Sequence, residues 1–319
     1  MKIWFVGGGA LGLLFTGKLA LMDQTAVRLI TRTEEQTERI RAEGLLLEEE
    51  GSKHRIHVES MPFVRPMEGQ TPPDWIGLMV KQSQIDEPMV KYVKRLMDQG
   101  TGSKLLCFQN GVGHVEKIAE AGIPRSRIYV AVTTEGARKD GANRVAHTGR
   151  GATSIGCAET GNMDREELEV LRKVFLQAGL ECVIDEKIDE VMYKKLLINS
   201  IINPLTAILN IRNGELLESE YSMNLMKALF AEACGVLEME AASITEALWE
   251  NVLEVCKKTA ANSSSMLQDI RACRRTEIDW ITGSVIALAA KQGKRVPAHE
   301  TVYYLVKRLE AKNEANAVH

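Results

Sequence analysis

Lys2-Ile3-Trp4-Phe5-Val6-Gly7-Gly8-Gly9-Ala10-Leu11-Gly12 is the stretch on which the reading of the whole chain turns. The first five residues form a short, mainly apolar strand. It runs into G-x-G-x-x-G, and a helical pattern follows through Leu21. In that strand–turn–helix setting the glycine pattern marks a dinucleotide-binding turn. Gly7 permits the tight turn, Gly9 lets the backbone approach a pyrophosphate, and Gly12 lets the helix sit close to the strand. Gly8, Ala10 and Leu11 complete the loop. The phosphates then face the helix N-terminus, whose first N–H groups have no acceptor within the helix. A plain glycine turn is the competing reading of the same residues.

Working outward, Ala26 to Thr31 reads as the next strand. An NAD site usually carries Asp or Glu near its end, where it binds the ribose hydroxyls. Here the chain gives Thr31-Arg32-Thr33, which offers a guanidinium for a 2′-phosphate and no carboxylate to repel one. That favours NADP over NAD. A solvated loop charge is the other reading of Arg32. Gly44 to Val58 looks like a strand pair turning at Gly51-Ser52. Trp75 to Val80 is an apolar strand that delivers Lys81 at its end, the place where a doubly wound sheet meets its ligand. Lys104 to Phe108 is followed by Gln109-Asn110-Gly111, readable as a turn or as a ligand contact. Tyr129 to Thr133 is a further strand. Arg144 to His147 and Thr153 to Cys157 suggest a hairpin around Gly149-Arg150-Gly151. With intervening helices, this pattern predicts an α/β Rossmann-type unit over 1–186.

From Asp189 onward no strand pattern appears. Helical periodicity runs through Ile188–Ala207, Leu225–Ser243, Thr245–Thr259, Ser265–Ala272, Glu277–Gln292 and Glu300–Lys312. An all-α unit over 187–319 is expected, with the active site in the cleft between the two units, a common place for ligands. Its opening helix carries Lys195, Asn199 and Asn203 at i, i+4 and i+8, hence on one face. Over Tyr193–Pro204 the rest of that helix is nearly all apolar, so three polar side chains in line need partners. A hydrogen-bonded core network is one account. The other is a small polar ligand, with Lys195 as proton donor. Ser265 reads equally as a helix cap, and Glu277 as a first-turn acid or a partner of Arg274 or Arg275.

Composition narrows the classes. The 319 residues are 45% hydrophobic and 26% charged, with a net charge of −3, which gives no electrostatic case for nucleic acid or an anionic membrane. The six cysteines include no CxxC pair, and His54 and His57 lack the companions a metal site needs, so no metal is expected. No signal peptide or spanning segment is read from the chain, and the cytoplasm is expected.

Taken together, GGGALG at 7–12, Arg32, QNG at 109–111, KLLINSIINPLTA at 195–207, RNGEL at 212–216, NSSSMLQDI at 262–270 and TEIDWITG at 276–283 resemble the ketopantoate reductase (2-dehydropantoate 2-reductase) family over essentially the whole chain. The resemblance implies reduction of ketopantoate by NADPH, in pantothenate and coenzyme A biosynthesis. It implies Lys195 as general acid and Glu277 as its acidic partner, also touching cofactor. Asn110, Asn199, Asn203, Asn213 and Ser265 would bind substrate, with Asn110 touching the nicotinamide side as well. The loop Gly7 to Gly12, Arg32, Lys81 and Ala137 would bind NADP(H). One departure stands out: Thr133-Thr134-Glu135-Gly136 replaces a Thr-Thr-His-Ala pattern associated with the family. Two other readings remain open, a reductase of another 2-oxo acid and a non-catalytic NADP-binding sensor. Either a monomer or a homodimer suits the chain.

Overall fold

The computed structural model describes residues 1–22, 25–63, 71–99, 102–159, 161–239 and 242–317. The chain divides into two compact units, Met1–Gln109 with His114–Val191, and Asn110–Gly113 with Met192–His319.

The first unit holds β1 (Lys2–Val6), α1 (Ala10–Ala20), β2 (Ala26–Thr31), α2 (Glu34–Glu43), β3 (Leu45–Glu49), β4 (Ser52–Ile56), β5 (Glu59–Pro62), β6 (Trp75–Leu78), α3 (Glu87–Asp98), β7 (Lys104–Cys107), α4 (His114–Glu120), β8 (Ile128–Thr133), β9 (Gly136–Lys139), β10 (Arg144–Gly149), β11 (Ala152–Cys157), α5 (Arg165–Gln177) and β12 (Glu181–Ile184). Eight strands form one sheet in the order β12-β11-β8-β7-β6-β1-β2-β5. From β5 to β8 the neighbours are parallel; β11 runs antiparallel to β8, and β12 parallel to β11. The parallel strands are apolar because helices cover them. β1 is therefore buried nearly throughout, and Phe5 and Phe15 meet edge to face in a core shared with Leu13, Leu14 and Phe175. The order of connection reverses between β1 and β6, which creates the crevice where such sheets bind nucleotides.

The hairpin expected around Gly149-Arg150-Gly151 is not one. β10 pairs with β9 and β3 in a separate four-stranded sheet, whereas β11 pairs with β8 and β12 in the large one. β8–β9 and β10–β11 form one long antiparallel ribbon that passes from the large sheet to the small one and turns at Asp140–Asn143. Gly149–Gly151 marks the crossing. A methyl group on Gly151 would lie 2.3 Å from the Thr134 carbonyl carbon, so the two crossing segments touch backbone to backbone. The β3–β4 turn falls where expected, with Glu50 (φ 48°) and Gly51 (φ 80°) in left-handed geometry suited to a tight hairpin.

Among its described residues the second unit is helical: α6 (Ile188–Leu209, beginning in the first unit), α7 (Glu220–Val236), α8 (Ala242–Lys258), α9 (Ser265–Arg271), α10 (Thr282–Lys291) and α11 (Pro297–Ala317). The expected helix Leu225–Ser243 is thus two helices, with residues 240–241 between them outside the described set. Glu277 does not open a helix either. It lies in a turn ahead of α10, which starts five residues later. Five cysteines are buried and Cys273 is exposed. No helix among the described residues is long and apolar enough to cross a membrane.

Candidate active site

The glycine loop is built by close approach. Gly7 adopts φ 122°, and its N–H donates to Ile30 O at 2.8 Å. A methyl on Gly12 would lie 1.8 Å from the Gly7 carbonyl oxygen, one on Gly8 would lie 2.6 Å from the Gln36 side chain, and one on Gly7 would meet the Met79 carbonyl. Gly7 and Gly12 are required by the fold itself, because the obstacle is backbone; at Gly8 it is the end of a flexible side chain. Gly9 differs, because the nearest atom to a methyl there is 3.9 Å away. Protein packing does not account for its bareness, and the backbone there is open to a ligand. Gly9 also precedes α1 in extended geometry, with no side chain capping the helix. Ala10 and Leu11 form the first turn, where backbone N–H groups are free to hold an anion. The residues present fit a dinucleotide pyrophosphate.

Arg32 is exposed directly after β2, followed by Thr33, whose hydroxyl caps α2 by accepting from Gln36 N–H at 3.3 Å. Lys81 is half-buried beyond β6, at the reversal point of the sheet, and its N–H donates to Gln84 Oε1. Ala137 is half-buried on β9, opposite His147 of β10.

Sequence reasoning missed a buried charged chain in this unit. Lys18 on α1 places Nζ 2.7 Å from both Glu49 carboxylate oxygens. His147 lies between Glu49 (3.1 Å from Nδ1) and Glu135 (2.7 Å from Nε2). Burial alone would raise the Glu49 carboxyl, but hydrogen bonds from Lys18 and His147 hold it below the usual range. The signal was present as a lysine in an apolar helix and a glutamate where the family pattern has histidine. Gln109, also unassigned, donates from Nε2 to Leu78 O and Val80 O, fixing the exit of β6.

The polar line of α6 lies within the second unit. Lys195 is half-buried, and burial pulls its ammonium pKa down to about 8 against the opposing field of Glu277. Glu277 is 9% exposed and accepts from Asn110 Nδ2 at 3.0 Å, so Lys195, Glu277 and Asn110 come together. One and two turns on, Asn199 is half-buried and Asn203 buried. The Asn203 carbonyl accepts from Thr206 Oγ1, which also bonds Ser264 Oγ at 2.7 Å. Ser264, not Ser265, caps α9, by accepting from Leu267 N–H; Ser265 is left exposed in the first turn. Thus the cap role is taken by its neighbour. Asn213 is placed by Thr259, which accepts from its Nδ2 at 2.9 Å, and by the backbone bond from its N–H to Asn262 O. Its buried Oδ1 has no partner. Asn213 is thereby tied to the loop that leads into α9, and no hydrogen bond between its side chain and Lys195 is seen.

Comparison with known proteins finds relatives over nearly the whole length of the chain. The family model described as ketopantoate reductase PanE/ApbA matches residues 3–160, and its C-terminal counterpart matches 187–310. The chain belongs to the ketopantoate reductase family. A 2-dehydropantoate 2-reductase of Bacillus subtilis is 33% identical to it over 312 residues, 97% of this chain and 98% of the relative. One from Pyrococcus horikoshii is 32% identical over 315 residues, with 98% of each chain covered. The crystal structure of the probable Bacillus subtilis 2-dehydropantoate 2-reductase superposes with a TM-score of 0.80 at 32% identity, over 97% of this chain and all of that one. A D-mandelate dehydrogenase bound to NADH and anilino(oxo)acetate superposes at 0.86 with 25% identity, over 98% of this chain and all of that one. Membership of the ketopantoate reductase family makes this chain an oxidoreductase.

Proposed function

We infer that the chain reduces ketopantoate to (R)-pantoate with NADPH, a step of pantothenate and coenzyme A biosynthesis in the family it belongs to. The observation that carries the reading is the Lys195–Glu277–Asn110 constellation, an ammonium with a pKa of about 8 beside a carboxylate held by an amide. Bound NADPH supplies a hydride from nicotinamide C4 to the keto carbon. Lys195 acts on the carbonyl oxygen: as a cation it stabilises the developing negative charge, then donates its proton there. Such acid–base help is worth roughly 10²–10⁴-fold. With a pKa of about 8 the ammonium remains mostly protonated at neutral pH yet gives up its proton more readily than an ordinary lysine. Glu277 keeps it charged by raising that pKa against burial. Asn199, Asn203 and Asn213 offer neutral donors and acceptors to a polar substrate, and the exposed Ser265 hydroxyl offers a donor to its carboxylate. Gly7–Gly12, Lys81, Asn110 and Ala137 serve the cofactor, and Arg32 its 2′-phosphate.

A second reading is supported by the likeness to D-mandelate dehydrogenase, whose ligand in that complex also carries an oxo acid group. It has the same chain acting on an aromatic 2-oxo acid, with NADH. One assay separates the two. Oxidation of NADPH and of NADH is followed with ketopantoate and with phenylglyoxylate. Turnover of ketopantoate by NADPH is expected; preference for phenylglyoxylate with NADH would replace the first reading with the second. Silence with every 2-oxo acid, despite tight NADPH binding, would leave only a sensor.

A further inference from the structure

The carbonyl of Gly8, inside the glycine loop, is gripped from two sides. Gln36 Nε2 donates to it at 2.9 Å, and Lys139 Nζ at 2.8 Å. Gln36 also donates to Ala142 O at 2.7 Å, so the tip of the bent ribbon is fastened against the loop. Gln36 lies in the first turn of α2, which begins right after Arg32 and Thr33. Lys139 therefore stands where the glycine loop meets the start of α2, the corner at which Arg32 would meet a 2′-phosphate.

Three features make this ammonium more than a loop brace. It carries three donors, of which the Gly8 carbonyl uses one. The nearest carboxylate in sequence, Asp140, is already taken by Arg138 at 2.7 and 3.0 Å. Lys139 is exposed, so an anion can reach its ammonium, and neighbouring protein atoms lower its pKa by desolvation. A dianionic phosphate facing Arg32 alone would be half neutralised.

We propose that Lys139 is a second cation, beside Arg32, that recognises the 2′-phosphate of NADP(H) and so helps set its preference over NAD(H). The proposal rests on the reading that this chain binds NADPH at the glycine loop. It assigns a specificity role to a strand of the small sheet, which the glycine motif does not include.

The test is equilibrium binding of NADPH, NADH and adenosine 2′,5′-bisphosphate to the full chain, by nicotinamide fluorescence and calorimetry, with Lys139→Gln and Lys139→Arg. Lys139→Gln is expected to raise the Kd for NADPH and for the bisphosphate about tenfold and that for NADH less than about twofold, the worth of one charge-assisted bond. Lys139→Arg should stay within about threefold of the parent for all three ligands, because the charge is kept. Equal weakening of NADPH and NADH would overturn the proposal and make Lys139 a support of the loop or a pyrophosphate contact. Unchanged binding of all three would overturn it too. A parent protein that binds neither dinucleotide would instead sink the functional reading, so the two failures are distinguishable.

Discussion

Asn110 donates from Nδ2 to Glu277 Oε2 at 3.0 Å, joining residues 167 positions apart. The bond fixes which way the carboxylate faces. Burial lowers the Lys195 pKa, and the field of the Glu277 carboxylate opposes that shift. A loop residue after β7 thereby bears on the acidity of a group on α6.

The first prediction concerns that acidity. Burial lowers the Lys195 pKa to about 8, and Glu277 opposes the shift. Removing the carboxylate leaves burial unopposed. In Glu277→Gln the alkaline limb of the kcat/KM profile should therefore move below about pH 8, while the parent holds its activity until pH rises through that value. Activity at neutral pH should fall by roughly 10–10³-fold. An alkaline limb at the same pH in both proteins would refute the coupling.

Lys195 also costs stability. Its folded pKa lies below that of a free lysine, so the unfolded chain binds the proton more tightly. The penalty is present in full below about pH 8 and fades as pH rises toward the unfolded value near 10.5. Lys195→Met should abolish turnover yet unfold later at pH 7, by about 2–3 kcal/mol as an upper bound, and the gap should close by pH 10. Melting curves at both pH values decide it; a variant less stable at pH 7 would contradict the assignment.

Two glycine substitutions should behave oppositely. Gly9→Ala has space, the nearest atom being 3.9 Å away, so its melting temperature should stay near that of the parent while dinucleotide affinity drops. Gly12→Ala drives a methyl to 1.8 Å from the Gly7 oxygen and should lose stability by about 1–3 kcal/mol or more. Intact affinity in Gly9→Ala would remove the pyrophosphate from this loop.

His147→Ala strands Glu135, whose carboxylate meets the ring at 2.7 Å, while Glu49 keeps the Lys18 ammonium. The cost should be about 3–5 kcal/mol in denaturant unfolding, as for a buried pair that loses one partner. Adding Glu135→Gln should restore part of it by deleting one buried charge. A loss under about 1 kcal/mol would mean that water reaches these groups.

The parts of this architecture that were legible in sequence are those written in local periodicity. β1 with its glycine loop, the alternation of strands and helices, and the i, i+4, i+8 line on α6 each need only neighbouring residues to be recognised. The ribbon from β8 to β11 was misread because Gly149-Arg150-Gly151 has the chemistry of a turn, and nothing local says that its flanks pair in different sheets. Ser265 shows the same limit, since either of two adjacent serines could cap α9 and only the contact with Thr206 favours Ser264. Lys18, Glu49, Glu135 and His147 are scattered along the first unit, and Lys139 meets Gly8 across 131 positions. Such partners are chosen by topology, which periodicity does not carry.

That last separation bears on how the protein is made. A ribosome that has released β1, α1, β2 and α2 has delivered the entire glycine motif, but neither Lys139 nor Ala142. Loop closure over more than a hundred residues must then wait for β9 and β10 to emerge and for β10 to pair with β3. Until that moment the nascent chain presents a dinucleotide turn without its clamp, so the nucleotide fingerprint is among the first pieces synthesised and among the last to be finished.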